Sequence, residues 1–155
     1  MRKVFVVLLL LILSSLSLAD DNPKAVVNLT TGDLKRFEIY LLGAIANSAE
    51  YYKNSLKELK VAVVIHGDAY RFFLKDLKDS PYKDDTKLIE KQKDIETRLI
   101  NLVKNYNVKF VMCKEGMMGR KINPKNVYSF VEFVENGFIA LVDFQNNGYA
   151  YIPLH

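Results

Sequence analysis

Short apolar runs alternate with longer amphipathic segments, and this alternation constrains the fold more than any other feature of the sequence. The clearest run is Val61-Ala62-Val63-Val64-Ile65, whose β-branched residues are typical of a parallel strand buried on both faces. Similar runs occur at 25–29 and 108–112. Between them, apolar residues recur at spacings of three and four, which predicts helices packed on a sheet by one face. The predicted helices are 34–58, 69–77 and 86–105.

The C-terminal part is compatible with more than one assignment, because residues 130–134 and 137–144 both have the composition of strands. The second segment also has a helical face, and Gly148 beyond it suits a left-handed C-cap. That face carries Phe138, Leu141, Val142 and Gln145. We therefore favour a strand at 129–134, a helix at 137–146 and a strand at 149–152. With right-handed crossovers, the whole order predicts an α/β, flavodoxin-like three-layer sandwich with a mainly parallel five-stranded sheet.

The N-terminus has the pattern of a secretory signal peptide. Arg2 and Lys3 precede an unbroken apolar run at 4–13, and Ser17-Leu18-Ala19 supplies a small-residue cleavage site. The alternative is a membrane anchor, although the run is shorter than the ~20 residues that a spanning helix needs. We expect cleavage of residues 1–19 to leave a single α/β domain at 20–155 that does not associate with the membrane. In a double-membraned bacterium its location would be periplasmic.

The charge balance gives no indication of a nucleic-acid partner. Removing residues 1–19 leaves 20 basic against 18 acidic residues, and both signs alternate through 75–98. A solvated helix face explains this alternation better than a basic binding surface. The sequence also lacks a Gly-x-Gly-x-x-Gly motif, a Walker loop and Cys or His pairs at metal spacing, so no cofactor and no metal are predicted.

Cys113 is the only cysteine and ends the third predicted strand, where it opens a predicted glycine- and methionine-rich turn at 114–121. Open α/β sheets present nucleophiles and ligands at this carboxyl edge, so Cys113 is the candidate catalytic residue. Nearby cations and backbone N–H groups would favour its thiolate. The candidate supporting residues of this segment are Lys114, Gly116 and Arg120. The alternative is an inert buried cysteine that only fills the core.

Two neighbouring strand ends supply further candidates. His66 ends the second strand as Cys113 ends the third, so it would lie at the same edge of the sheet, where it could donate a proton or hold an anion. A ligand crevice there would include Asn28, Thr30, Thr31 and Gly67. Structural roles compete with these assignments: His66-Gly67 also suits a hydrogen-bonding turn, and helix capping explains Thr31 and Asp33 without a ligand.

The ensemble of these motifs resembles the DsrE/DsrF-like sulfur-relay family. The resemblance rests on the segments NLTTGD at 28–33 and VVIHGDAY at 63–70, the cysteine closing the third strand, and a Gly-x-x-Ala-Leu-x-x-x-Gln-x-x-Gly-Tyr-Ala-Tyr-Ile ending at 137–152. It implies a five-stranded α/β fold that assembles into trimers or hexamers. It also implies that Cys113 accepts sulfane sulfur as a persulfide from a donor protein and passes it to an acceptor protein.

Two functions from different classes follow. The first is an exported DsrE-like sulfur carrier, sulfurtransferase-like if it is active as an enzyme. The second is a non-catalytic module that binds a small ligand or builds an oligomer, with an inert buried cysteine. The surplus of aromatic residues favours a homo-oligomer in either case, because aromatic side chains are enriched in the cores of interfaces. The aromatic residues that prompt this expectation are Tyr40, Tyr51, Tyr52, Tyr70, Phe72 and Phe73.

Overall fold

The computed structural model describes residues 22–155, and the segment assigned to a signal peptide, 1–19, lies outside them. Five strands form one sheet in the order β4-β3-β2-β1-β5, and every neighbouring pair is parallel. The strands are β1 (Lys24–Leu29), β2 (Lys60–Ile65), β3 (Lys109–Cys113), β4 (Val131–Val134) and β5 (Ala150–Leu154). The predicted α/β sandwich with a parallel five-stranded sheet is confirmed.

Four helices flank the sheet. The first, α1, covers 34–54 and contains a π-helical stretch at Phe37–Gly43. Its start is fixed by Asp33, whose carboxylate accepts from the backbone N–H of Arg36 at 2.7 Å. The others are α2 (Thr86–Tyr106), α3 (Lys114–Gly119) and α4 (Gly137–Asn146).

The strand order determines which face each helix covers. The chain steps from β1 to β4 in one direction, so right-handed crossovers place α1, α2 and α3 on the same face. The larger core lies there, between alternate strand residues such as Val63 and helix residues such as Phe37 and Leu99. The return from β4 to β5 runs the other way and places α4 on the opposite face, where Ala140 and Leu141 pack on Val64 and Val111.

Two local predictions are wrong. The helix expected at 69–77 is a short 3₁₀ helix at Ala69–Phe73, after which Leu74 forms an isolated bridge with Val127. Four fully or almost fully buried side chains in this 3₁₀ helix leave it no polar face to alternate with an apolar one. The turn expected after Cys113 is instead α3, which begins directly at the end of β3.

The aromatic residues proposed for an interface differ in their exposure. Tyr70, Phe72 and Phe73 are buried within this chain, whereas Tyr40 and Tyr51 are exposed.

Within residues 22–155, none of the helices combines the length and apolar character needed to cross a membrane.

Candidate functional site

A cavity of about 640 Å³ lies at the carboxyl edge of the sheet, on the face that carries α4. Strands β1, β2, β3 and β5 supply one wall, and the start and one side of α4 supply the other. The lining residues are Asn28, His66, Cys113, Glu115, Asn136, Gly137, Phe138, Leu141, Val142, Gln145 and Tyr151. Its size falls within the range of about 300–1,000 Å³ that is usual for small-molecule sites.

The position of the cavity follows from the topology. After β3 the chain enters α3, whose Met117 belongs to the larger core, whereas after the neighbouring β4 it enters α4 on the other face. Adjacent strands whose connections leave toward opposite faces open a crevice between them, and ligands bind at such points in α/β sheets. Cys113 ends β3 and Asn136 caps α4, so both border this crevice.

Cys113 is recessed in the cavity wall and is 7% exposed. Its thiol donates a long hydrogen bond to the Glu135 carbonyl oxygen, with an S···O distance of 3.9 Å. The backbone is held from behind, because the buried Tyr70 hydroxyl donates to the Cys113 carbonyl oxygen at 2.9 Å. Burial raises the pKa of Tyr70, so the hydroxyl remains protonated and remains a donor.

His66 stands beside Cys113 in the cavity wall. The two residues immediately follow the registered pair Ile65 and Met112 on β2 and β3. Gly137 contacts both: a Cβ placed on it would lie 3.5 Å from Cys113 Cβ and 3.7 Å from His66 Cγ. Gly137 therefore lies close to both residues, and a methyl group there would meet each at an ordinary van der Waals distance.

A hydrogen-bonded chain orients the imidazole. The Oδ1 atom of the buried Asn28 is hydrogen-bonded to His66 Nε2, and its Nδ2 donates to the Tyr151 hydroxyl oxygen at 2.6 Å. Asn28 Oδ1 is an acceptor, so this contact places the proton on Nε2 and leaves the lone pair on Nδ1. The neutral His66 imidazole therefore keeps a lone pair, on Nδ1, that can accept a proton.

The environment of His66 disfavours its charged form. Burial lowers the pKa of His66 below 6.5, and the positive charges of His155 and Arg120 lower it further. At neutral pH the imidazole is therefore uncharged.

This shift predicts a dependence of stability on pH. The unfolded chain binds a proton on His66 below pH 6.5 more readily than the folded chain does, so this residue's contribution to stability is present above 6.5 and is lost as the pH falls below it. We expect the free energy of unfolding to fall more between about pH 7.5 and about pH 5 in the wild type than in His66→Gln. Urea unfolding of both proteins at the two pH values measures the difference, and equal losses would contradict the lowered pKa.

The expected supporting residues lie around Cys113 but outside the cavity lining. Lys114 forms an ion pair with Glu135. Arg120 lies over the Tyr70 ring at 5.2 Å and reaches Asp68 at 3.4 Å. Gly116 packs against Tyr70 on the far side of β3 from the cavity. Arg120 acts on the site through its charge, which lowers the pKa of His66.

Three of the four predicted crevice residues have structural contacts instead. Thr31 Oγ1 accepts from the backbone N–H of Asp33 at 3.1 Å, in the turn that leads into α1. Thr30 Oγ1 contacts His155 Nδ1 at 2.7 Å. Gly67 has a φ of +63°, and a Cβ there would lie 2.8 Å from the Thr30 carbonyl oxygen. Of the four, only Asn28 lines the cavity.

One helical pattern in the sequence indicated the wall of the cavity, and the site prediction omitted it. Phe138, Leu141, Val142 and Gln145 share one predicted helical face, and all four line the cavity. Tyr151 joins them because its register partner Val26 lies on the α4 face of β1. Glu115 and Asn136 lie at the starts of α3 and α4, where Asn136 Nδ2 donates to the Glu115 carboxylate at 2.8 Å.

Metal ligation finds no support among the described residues, which contain no group of three or more His, Cys, Asp or Glu side chains placed to hold an ion.

The fold and the cavity define a class: small α/β proteins with a cysteine at the carboxyl edge of a parallel sheet. The model of the DsrE/DsrF-like family matches residues 24–154, so the chain belongs to that family. An uncharacterized protein of Aquifex aeolicus (strain VF5) is 32% identical over 130 residues, which cover 84% of this chain and 55% of the relative. The chain thus spans about half the length of that curated relative.

A solved structure supports the fold independently. The protein of unknown function MTH1491 from Methanobacterium thermoautotrophicum superimposes with a TM-score of 0.55 over 85% of this chain and 99% of its own, at 20% sequence identity. At this identity the likeness concerns the fold alone.

Proposed function

We propose that this protein accepts sulfane sulfur on Cys113 as a persulfide and passes it on. The observation that carries the proposal is the placement of the Cys113 thiol in a cavity wall beside the neutral, oriented imidazole of His66. A thiol next to a base is the usual arrangement of an activated sulfur nucleophile. Membership of the DsrE/DsrF-like family agrees with this chemistry.

The transfer proceeds by displacement at sulfur. His66 takes the thiol proton, and the Cys113 thiolate attacks the outer sulfur of a persulfide R–S–SH. A bond forms between the Cys113 sulfur and that outer sulfur, while the bond between the two donor sulfurs breaks. The leaving R–S⁻ takes up the proton. Cys113–SH and R–S–SH thus become Cys113–S–SH and R–SH, and delivery to an acceptor thiol repeats the exchange in the other direction.

The alternative is a binding module with an inert cysteine, and the low exposure of Cys113 favours it. A small alkylating reagent distinguishes the two. In the sulfur-carrier proposal the reagent enters the cavity and modifies Cys113 in the native protein. Modification only after denaturation would favour the binding module.

The direct test is intact-mass analysis after brief incubation with polysulfide and removal of the excess reagent. We expect increments of one or more sulfur atoms on the wild type that vanish with a reductant, and none on Cys113→Ser. The only cysteine of the chain is Cys113, so any increment that persists in the variant would come from a reaction elsewhere. A folded wild type that takes up no sulfur would overturn the proposal.

We also propose a periplasmic homo-oligomer, a trimer or a hexamer. The exported location rests on the pattern of residues 1–19. The assembly is supported by exposed apolar side chains on α4, where Phe138 at the cavity is 74% and Ile139 is 58% exposed, since exposed apolar patches mark contact surfaces. An acceptor protein for the sulfur would complete the pathway.

A further inference from the structure

Access to the Cys113 sulfur is through the cavity. The residue is 7% exposed, and Phe138 and Tyr151 line the same cavity. Because Cys113 is recessed in the wall, a cysteine held on the surface of a folded protein reaches its sulfur less readily than a small free compound does. A compound of a few heavy atoms fits within 640 Å³ without any displacement.

The charge of the lining is unusual for a site that handles anionic sulfur. None of the lining residues is a lysine or an arginine, and Glu115 is the only carboxylate among them. The imidazole of His66 is neutral, and the nearby cation of Lys114 is paired with Glu135. The only formal charge in the lining is therefore the negative one of Glu115, while the positive charge of Arg120 acts on His66 from outside the lining.

The Glu115 carboxylate is also held in a defined position. Asn136 Nδ2 donates to one of its oxygens at 2.8 Å, across the crevice between α3 and α4. Opposite it, the Tyr151 hydroxyl oxygen accepts from Asn28, so its own O–H remains a donor for a ligand. The cavity thus presents an anionic group, a hydroxyl donor and an apolar wall around one thiol.

We infer that the sulfur donor is a low-molecular-mass aminothiol persulfide, whose ammonium group lies at Glu115 while its outer sulfur meets Cys113. This inference rests on the proposed function and adds the class of donor. The exchange is the one written above, with R an aminoalkyl group, and it needs no further oxidant or reductant. Glu115 binds the donor and takes no part in the proton transfer.

Two donors of similar size and opposite charge test the inference: cysteamine persulfide and 3-mercaptopropionate persulfide. The rate of sulfur addition to the purified protein is followed by intact mass at low salt. We expect the cationic donor to react about tenfold faster, because one carboxylate attracts one donor and repels the other. In Glu115→Gln the two rates should become equal within about twofold, since the charge that separates them is gone.

The matched control is Glu90→Gln, which removes an exposed carboxylate of the same type on α2, on the opposite face of the sheet. It should keep the preference for the cationic donor. A third donor, a small globular protein carrying one surface persulfide, should load Cys113 more slowly than either small compound.

The outcomes separate the two levels of the proposal. Equal rates with both small donors in the wild type, or fastest loading by the protein donor, would overturn the inference about the donor and leave sulfur transfer standing. No sulfur uptake from any donor, polysulfide included, would overturn the proposed function itself.

Discussion

Gly116→Ala is expected to lower the free energy of unfolding by about 2–4 kcal/mol, because the new methyl group meets the buried Tyr70. A Cβ on Gly116 would overlap the Tyr70 hydroxyl oxygen and lie 3.1 Å from the ring carbon Cζ. Tyr70 is fully buried and cannot move into solvent. Any shift of its ring also weakens the hydrogen bond to the Cys113 carbonyl.

The sign of this prediction runs against local helix preference. Glycine to alanine within a helix ordinarily stabilises by up to about 1 kcal/mol. Gly119 offers the matched control, because it lies in the same helix and a Cβ there meets nothing within 4 Å. Urea unfolding of Gly116→Ala and Gly119→Ala should therefore give changes of opposite sign or clearly different size, and similar values would refute the steric argument.

A second substitution, at Tyr70, tests whether its hydroxyl oxygen is the atom that the new methyl group overlaps. Tyr70→Phe alone should cost about 1 kcal/mol for the lost hydrogen bond. Combined with Gly116→Ala, it removes the oxygen that the new methyl would overlap, so the double variant should be more stable than the sum of the two single effects predicts. Additive effects would place the destabilisation elsewhere.

Much of the architecture could be predicted because its signals are local. The β-branched run at 61–65 and the helical spacing at 86–105 each carry their own period, and both elements lie close to where the sequence placed them. The helix predicted at 69–77 is wrong because this segment carries no such local signal. Tyr70, Phe72 and Phe73 are all buried by the tertiary fold, and their spacing follows neither the helical nor the strand period.

The site was harder to predict because it depends on strand order. Chain order alone indicates that His66 and Cys113 share an edge, and their neighbours Ile65 and Met112 are indeed paired. It does not show that β5 lies next to β1, which is what brings Tyr151 to Asn28. Nor does it show that α4 alone covers the second face and so forms the cavity wall.

The dependence on tertiary structure also explains why the cations expected beside the thiol lie outside the cavity lining. Lys114 and Arg120 lie close to Cys113 in sequence, but α3 begins immediately after the cysteine and turns toward the larger core. Their side chains then meet Glu135 and Asp68 at the rim. Proximity along the chain therefore overstated the positive charge around the thiol, and the only permanent charge in the lining is negative.

Replacing His66 with alanine is expected to slow sulfur uptake by Cys113 about 100-fold, the usual contribution of a positioned general base. The imidazole is neutral because burial lowers its pKa, and its contact with Asn28 orients it as a base. The measurement is the rate of sulfur addition by intact mass at about pH 7, where the His66 imidazole is uncharged. Tyr51→Ala is the control, because Tyr51 is an exposed aromatic residue on α1 that does not line the cavity.

Two further observations distinguish a base from a residue that only supports the fold. Added imidazole should restore part of the rate in His66→Ala, since it can enter the space left in the cavity, whereas a merely misfolded variant would not respond. The wild-type rate should also fall as the pH drops through the lowered pKa of His66, below 6.5, because protonation removes the base. In His66→Ala this part of the decline should be absent. A variant that reacts at the wild-type rate with an unchanged pH profile would mean that Cys113 is activated without His66.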